Sequence, residues 1–176
     1  MSKFVAEKVV CSFPHIFKAN TKFGPDGKRE VTLMLDKVKN ADLIAKIQLD
    51  INTMKKESSK AIPDDKICLK DGDLSDRNEY QGHYTIKATS SKIVPVYNVR
   101  KDLLDADTCD IQGGDIVSAS VNLWLQDNSW GQRINASLNG VQFVKEGARF
   151  GGSSDVSEDF GIFNQFDDDS DDNEDF

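Results

Sequence analysis

The sequence predicts a mainly β protein: a five-stranded Greek-key barrel of the OB type with one helix, followed by an acidic tail without regular structure. Three observations predict it. Apolar and polar residues alternate through Glu30–Asp36, Asp115–Gln126 and Gln132–Val144, the period-2 pattern of half-buried strands. One segment between the early strands switches to helical spacing instead. Charge is also unevenly placed. The 176 residues carry a net −8, yet Ser153–Phe176 holds ten acids and no Lys or Arg, so removing those ten from the 30 acids leaves 22 basic and 20 acidic residues before it, a net +2. The chain therefore divides into a body, residues 1–152, and a tail, residues 153–176. A β-sandwich is the structural competitor, because periodicity does not separate it from a barrel.

Lys8–Lys18 reads as the first strand, with Val9, Cys11 and Phe13 on one side. Gly24-Pro25-Asp26-Gly27 follows as a turn, Pro presetting φ and Gly accepting positive φ. Glu30–Asp36, with Val31, Leu33 and Leu35 inward, completes a hairpin. Asn40 can then cap a helix of about four turns, with Asp42 in its first turn. Leu43, Ile44, Ile47, Ile51 and Met54 form its apolar stripe, and Lys55, Lys56 and Lys60 suit its C-terminus. Ile62–Asn78 reads as a loop with a short strand at Ile67–Leu69. Strands return at His83–Thr89 and Ile93–Val99, and Lys101–Asp110 has room for one helical turn. After Gly113-Gly114 come the two long strands, joined by the hairpin tip Asp127–Gly131.

Several function classes are excluded by what the sequence lacks. No apolar run approaches the length of a membrane span, and MSKFVAEKVV lacks the layout of a signal peptide. Cys11, Cys68 and Cys109 are odd in number and widely spaced, which predicts reduced thiols rather than disulfides or a metal site. His15 and His83 are too few and too far apart for a zinc cluster. No phosphate loop, nucleophile elbow or HExxH is present. The run Asp167-Asp168-Asp169-Ser170-Asp171-Asp172 lacks the central Gly and closing Glu of a calcium loop. The expectation is a protein with no enzymatic activity, no metal and no cofactor.

A nucleic-acid signal lies between Tyr80 and Lys101. This stretch has no acid and interleaves Tyr80, His83, Tyr84, Lys87, Lys92, Tyr97, Arg100 and Lys101. Cations that follow phosphates and flat rings that stack bases are what single-strand binders need. Tyr84, in phase with Ile86 and Ala88, has a competing role in the core. On the long strands, Val117, Ala119, Val121, Leu123 and Leu125 face inward, leaving Ser118, Ser120, Asn122 and Trp124 outside. Arg133, Asn135 and Ser137 alternate in the same way on the next strand, and Trp130 sits at the hairpin tip. The basic residues of the N-terminal hairpin, Lys3, Lys8, Lys18, Lys22, Lys28 and Arg29, either extend a phosphate track or guard a solvated edge. The DNA-binding set is thus Lys18, Tyr80, His83, Tyr84, Lys87, Lys92, Tyr97, Arg100, Lys101, Trp124, Trp130 and Arg133.

The tail is self-repelling, yet Phe160, Ile162, Phe163 and Phe166 interrupt it and Phe176 ends it. Asp172, Glu174, Asp175 and Phe176 suit a docking peptide whose ring fills a pocket while its acids meet a basic rim.

Tyr80-Gln81-Gly82-His83-Tyr84-Thr85-Ile86-Lys87-Ala88, the strand ending Leu123-Trp124, Leu138-Asn139-Gly140-Val141-Gln142-Phe143 and Lys145-Glu146-Gly147-Ala148-Arg149-Phe150-Gly151-Gly152 resemble the phage single-stranded DNA-binding proteins of the Enc34 type, formerly a domain of unknown function. Asn173-Glu174-Asp175-Phe176 is similar to the Phe-terminated acidic tails of bacterial and T7-like phage single-strand binders, where such tails recruit replication partners. The resemblance implies an OB fold and no enzymatic activity. It carries no residue-level roles.

The expected function is sequence-tolerant binding and protection of single-stranded DNA in phage replication, recombination or repair, in the cytoplasm of the infected bacterium and away from membranes. The tail is expected to screen the cationic groove and to recruit a DNA polymerase, helicase or recombinase. An acidic DNA mimic or chaperone-like protein is the rival from another class, and a nucleotide-modifying enzyme the third. Weak duplex binding, a homodimer and the preference for DNA over RNA are left open by the sequence.

Overall fold

The computed structural model describes residues 2–20 and 27–149. Within them, β1 (Ser2–Asn20) pairs antiparallel with β2 (Lys28–Asp36) on one side and with β7 (Ile116–Asn128) on the other. β2 pairs with β4 (His83–Ser90), and β7 with β8 (Gly131–Lys145). A parallel contact between β4 and β8, Thr89 opposite Ser137, closes the sheet. The barrel order is therefore β1-β2-β4-β8-β7, the Greek-key closure of an OB fold. Short strands decorate it: β3 (Leu69–Asp71) on β4, and β5 (Val96–Tyr97) with β6 (Leu103–Leu104) beside β8.

The alternation read from the sequence fills the barrel. Val31, Leu33, Leu35, Ile86, Val117, Val121, Leu123 and Ile134 are fully buried. Helix α1 (Ala41–Glu57) adds Ile44, Ile47, Ile51 and Met54 to the same core. Asn40 precedes it, but its side chain makes no cap; Oδ1 turns back to accept from the Asp36 N–H at 3.0 Å.

β1 departs from its expected phase. Its inward residues are Phe4 and Ala6, then Val9 and Cys11, then Ile16. Two β-bulges cause the shifts. Between Ala6 and Val9 the strand holds one residue more than β7 opposite, and between Ser12 and His15 one more than β2. Lys8 and Phe13 sit in the left-handed region at these points, with φ 53° and 48°. The second bulge carries Phe13 out of the row of Val9 and Cys11, so it is exposed rather than inward. The first leaves Ser118 buried, its Oγ accepting from the Lys8 N–H, so Ser118 drops out of the expected polar surface.

Three shorter expectations are also corrected. The strand expected at Ile93–Val99 keeps only Val96–Tyr97, because Pro95 has no N–H for a ladder and contributes only its carbonyl, to Val141 N–H. The short strand at Ile67–Leu69 begins at Leu69, with Ile67 making an isolated bridge to Ile134. Lys101–Asp110 holds β6 and a turn closed by Asp105, whose carboxylate accepts from the N–H groups of Asp107 and Thr108, in place of a helical turn.

Asp115, fully buried, ties down the end of the body. Arg149 donates to it from Nε and Nη2 at 3.0 and 3.2 Å, and the N–H groups of Gln112 and Gly147 add two more bonds. Gly147 is required there, since a Cβ would lie 2.0 Å from the Gly114 carbonyl oxygen. The three cysteines are free, and burial pushes the Cys11 and Cys68 thiols up to about 12. No helix among the described residues is long and apolar enough to cross a membrane. The expected boundary at residue 152 and the tail lie outside the described residues.

Candidate nucleic-acid interface

The outer side of β8 gathers most of the residues expected to meet nucleic acid. Ile134, Ala136 and Leu138 point inward, so Arg133, Asn135 and Ser137 stand outside. Beside them on β7, Trp124 lies opposite Asn135 and donates from Nε1 to Ser137 Oγ at 2.9 Å. Asn122, Asn139 and Ser120 are linked by side-chain hydrogen bonds, as are Asn135 and Gln126. These bonds hold a polar sheet surface with one indole lying in it. At the start of β8 the turn Ser129-Trp130 projects Trp130, 91% exposed.

The far half of the stripe is built from the chain between β4 and β6. Val96 is buried opposite Val141, which sets Tyr97 outside and opposite Gln142. The next turn is organised by Asn98. Its Oδ1 accepts from the N–H groups of Arg100 and Asp102, while its own carbonyl accepts from Gln142 Nε2. Lys101 adopts φ 68° within this turn. Arg100 and Lys101 are thereby held out beside Tyr97, and Lys92 is exposed just before them. Sequence reasoning missed Asn98. The signal was an Asn four residues before an Asp, a side chain able to replace the backbone acceptor of a turn.

Electrostatically the stripe is cationic because its cations are unpaired. Lys92, Arg100, Lys101 and Arg133 make no ion pair among the described residues. Lys18, exposed at the far end of β1, is also unpaired there but stands away from β8. Lys87 lies on the outer side of β4, two residues from Thr89, and its Nζ is 3.1 Å from Glu30 Oε2.

The remaining expected residues are occupied elsewhere. Tyr80 is 8% exposed, and its hydroxyl donates to Ser12 Oγ at 2.9 Å inside the protein. It is a packing residue, not a surface ring. Tyr84 rests against the core with the Lys37 ammonium 5.0 Å above its ring. Both tyrosines line a cavity of about 840 Å³ between α1 and residues 64–85. His83 Nδ1 is 2.8 Å from the Gln81 carbonyl, and its Nε2 lies 4.0 Å from Asp36. Lys37 is clamped by Asp71 and Asp73 at 2.7 and 2.6 Å; its ammonium holds the Asp71 carboxyl below the usual range, and the Gly82 N–H together with that ammonium does the same for Asp73. Asp172, Glu174, Asp175 and Phe176 fall outside the described residues. No cluster of three or more potential metal ligands is found among the described residues.

Comparison with known proteins bears on this geometry. The solved single-stranded DNA-binding protein from bacteriophage Enc34, truncated at its C-terminus, is 31% identical, with a TM-score of 0.74 over 84% of this chain and 88% of that one. The Enc34 protein solved in complex with single-stranded DNA is 29% identical, also with a TM-score of 0.74, over 85% and 89% of the two chains. Protein p50 of Acyrthosiphon pisum secondary endosymbiont phage 1 is 27% identical over 169 residues, 89% of this chain and 91% of that relative. Both structural neighbours are single-stranded DNA-binding proteins. The sequence profile of the family described as Enterobacter phage Enc34, ssDNA-binding protein, matches residues 2–176, and the chain belongs to that family.

Proposed function

We propose that this protein binds single-stranded DNA without catalysis and largely without regard to sequence, protecting it during phage replication, recombination or repair in the host cytoplasm. The observation that carries this reading is the stripe along β8, where rings from three elements, Trp130 and Tyr97 exposed and Trp124 half-buried, stand among cations with no ion-pair partner among the described residues. The strand runs beside Arg133 and Trp130, over Trp124, past Thr89 and Lys87, and on to Tyr97, Lys92, Arg100 and Lys101. From Arg133 to Gln142 this is roughly 30 Å of strand at about 3.3 Å per residue. The rings stack bases, each worth about 1–3 kcal/mol, and every base offers a π-face, so binding is sequence-tolerant. The cations replace counterions on the phosphates, so affinity falls as salt rises. Family membership and the related Enc34 complex with single-stranded DNA support the same reading.

The acidic tail, with Asp172, Glu174, Asp175 and Phe176 at its end, is read as a competitor for the cationic stripe. Once DNA displaces it, it is free to recruit a polymerase, helicase or recombinase. Both tryptophans of the chain lie on the proposed face, so titration with oligo-dT should quench nearly all intrinsic emission, and less so at high salt. Unchanged emission with saturating oligo-dT would sink the DNA reading. Removing residues 153–176 should tighten binding, and weaker or equal binding after truncation would refute the competition.

A further inference from the structure

We infer that Phe13 and Arg77 form a base-stacking platform for single-stranded DNA on the β1–β2 side of the barrel, beyond the β8 stripe. The inference rests on the DNA-binding reading and extends its path.

Phe13 stands at the second bulge of β1. Ser12 pairs with Thr32 and His15 with Glu30, so Phe13 and Pro14 together oppose Val31. A bulge that inserts one residue reverses the inward row, and here it turns an aromatic ring out of the barrel until 45% of it is exposed. Phe13 holds φ 48°, a left-handed conformation unfavourable for a bulky side chain. Bending β1 does not require this residue. The other bulge of the same strand places Lys8 at φ 53°, a side chain at home in water. Among the described residues, strain and an exposed ring coincide only at Phe13, and strained residues persist where the surroundings over-determine them.

Those surroundings are visible. Beside Phe13, Ser12 Oγ accepts from the hydroxyl of Tyr80, which fixes residues 75–80 against the outside of β1. From that segment the Arg77 guanidinium lies 4.2 Å from the centre of the Phe13 ring. Arg77 is itself half exposed, and its one acidic partner among the described residues is Glu79, 3.4 Å away at the surface. A stacked ring and guanidinium offer a base two flat surfaces, and offer a phosphate the N–H edge of the cation. The strand register connects this platform to the face already described. Ser12 leads across β2 at Thr32 to Lys87 on β4, and Thr89 leads on to Ser137 and Trp124. At about 4.8 Å between strands, the platform and Trp124 are separated by roughly 19 Å of sheet.

The test compares wild type, Phe13→Leu, Phe13→Tyr and Arg77→Gln for oligo-dT affinity and for thermal unfolding. Leu keeps an apolar side chain but has no flat ring. Affinity should fall about 5- to 100-fold for Phe13→Leu, with unfolding within a few degrees of wild type, and Phe13→Tyr should stay near wild type. Arg77→Gln should weaken binding and lower its log–log salt slope by about 0.7. Wild-type affinity in Phe13→Leu, with wild-type protein binding normally, overturns the platform and leaves the β8 stripe standing. Equal loss in Phe13→Leu and Phe13→Tyr also overturns it. If wild type itself does not bind oligo-dT, the DNA-binding reading fails and the platform with it.

Discussion

Residues 80–87 and 90–101 are neighbours in sequence, both free of acids and both combining tyrosines with cations, yet they do different work. In the first, Tyr80 is buried on Ser12, Tyr84 is packed under Lys37, His83 is bonded to Gln81, and Lys87 is matched by Glu30. In the second, Tyr97 is exposed, and Lys92, Arg100 and Lys101 have no charged partner among the described residues. The acids that face the first half come from distant positions, Glu30 and Asp36 on β2, while Asp71 and Asp73 hold the Lys37 ammonium that covers Tyr84. A segment's own composition therefore does not decide whether its charge is available; the partners brought by the fold do.

That difference can be broken at several points. The largest effect is expected at Tyr80. Tyr80→Ala should cost about 3–5 kcal/mol of stability, as truncation of a large buried aromatic does, and thermal or denaturant unfolding will show it. Under conditions that keep the variant folded, its oligo-dT affinity should fall no further than that of Phe13→Leu, because the β8 stripe is intact and only the Phe13–Arg77 platform loses its support. Next comes Trp130→Ala, which should lose about 1–3 kcal/mol of oligo-dT binding with an unchanged unfolding midpoint, because the ring is exposed at a hairpin tip. Tyr97→Ala should weaken binding more than Tyr84→Phe does, since only the first removes an exposed ring. The smallest effect belongs to Lys87→Ala. Phosphate must compete there with Glu30, so the loss should be below about 1 kcal/mol and should grow when Glu30 is also replaced by Gln.

Much of this was legible in the sequence. Apart from Ser118, the period-2 runs on β7 and β8, and the inward row Val31, Leu33 and Leu35 of β2, lie as expected, because a strand pinned by a buried face has its register fixed. The helix stripe also lies where its spacing puts it. What could not be read was non-local. Nothing in Lys8 or Phe13 announces a left-handed bulge, since glycine or asparagine is the usual marker of that conformation. Two unannounced bulges were enough to reverse the phase of β1, bury Ser118 and expose Phe13. Tyr80 looked available because its partner Ser12 lies 68 positions away. Trp124, Trp130 and Arg133 were legible because alternation and a hairpin tip, both local features, determine where they point.

The central claim is that cations of the second half, not the first, carry phosphate contacts. It is tested most directly by the salt dependence of oligo-dT binding in two variants, Lys92→Ser/Arg100→Ser/Lys101→Ser and His83→Asn/Lys87→Ser. At roughly 0.7 per phosphate contact on a single strand, the triple variant should lower the log–log slope by about 2, and the double variant should leave it unchanged. Equal reductions in the two, or a reduction only in the double variant, would contradict the account.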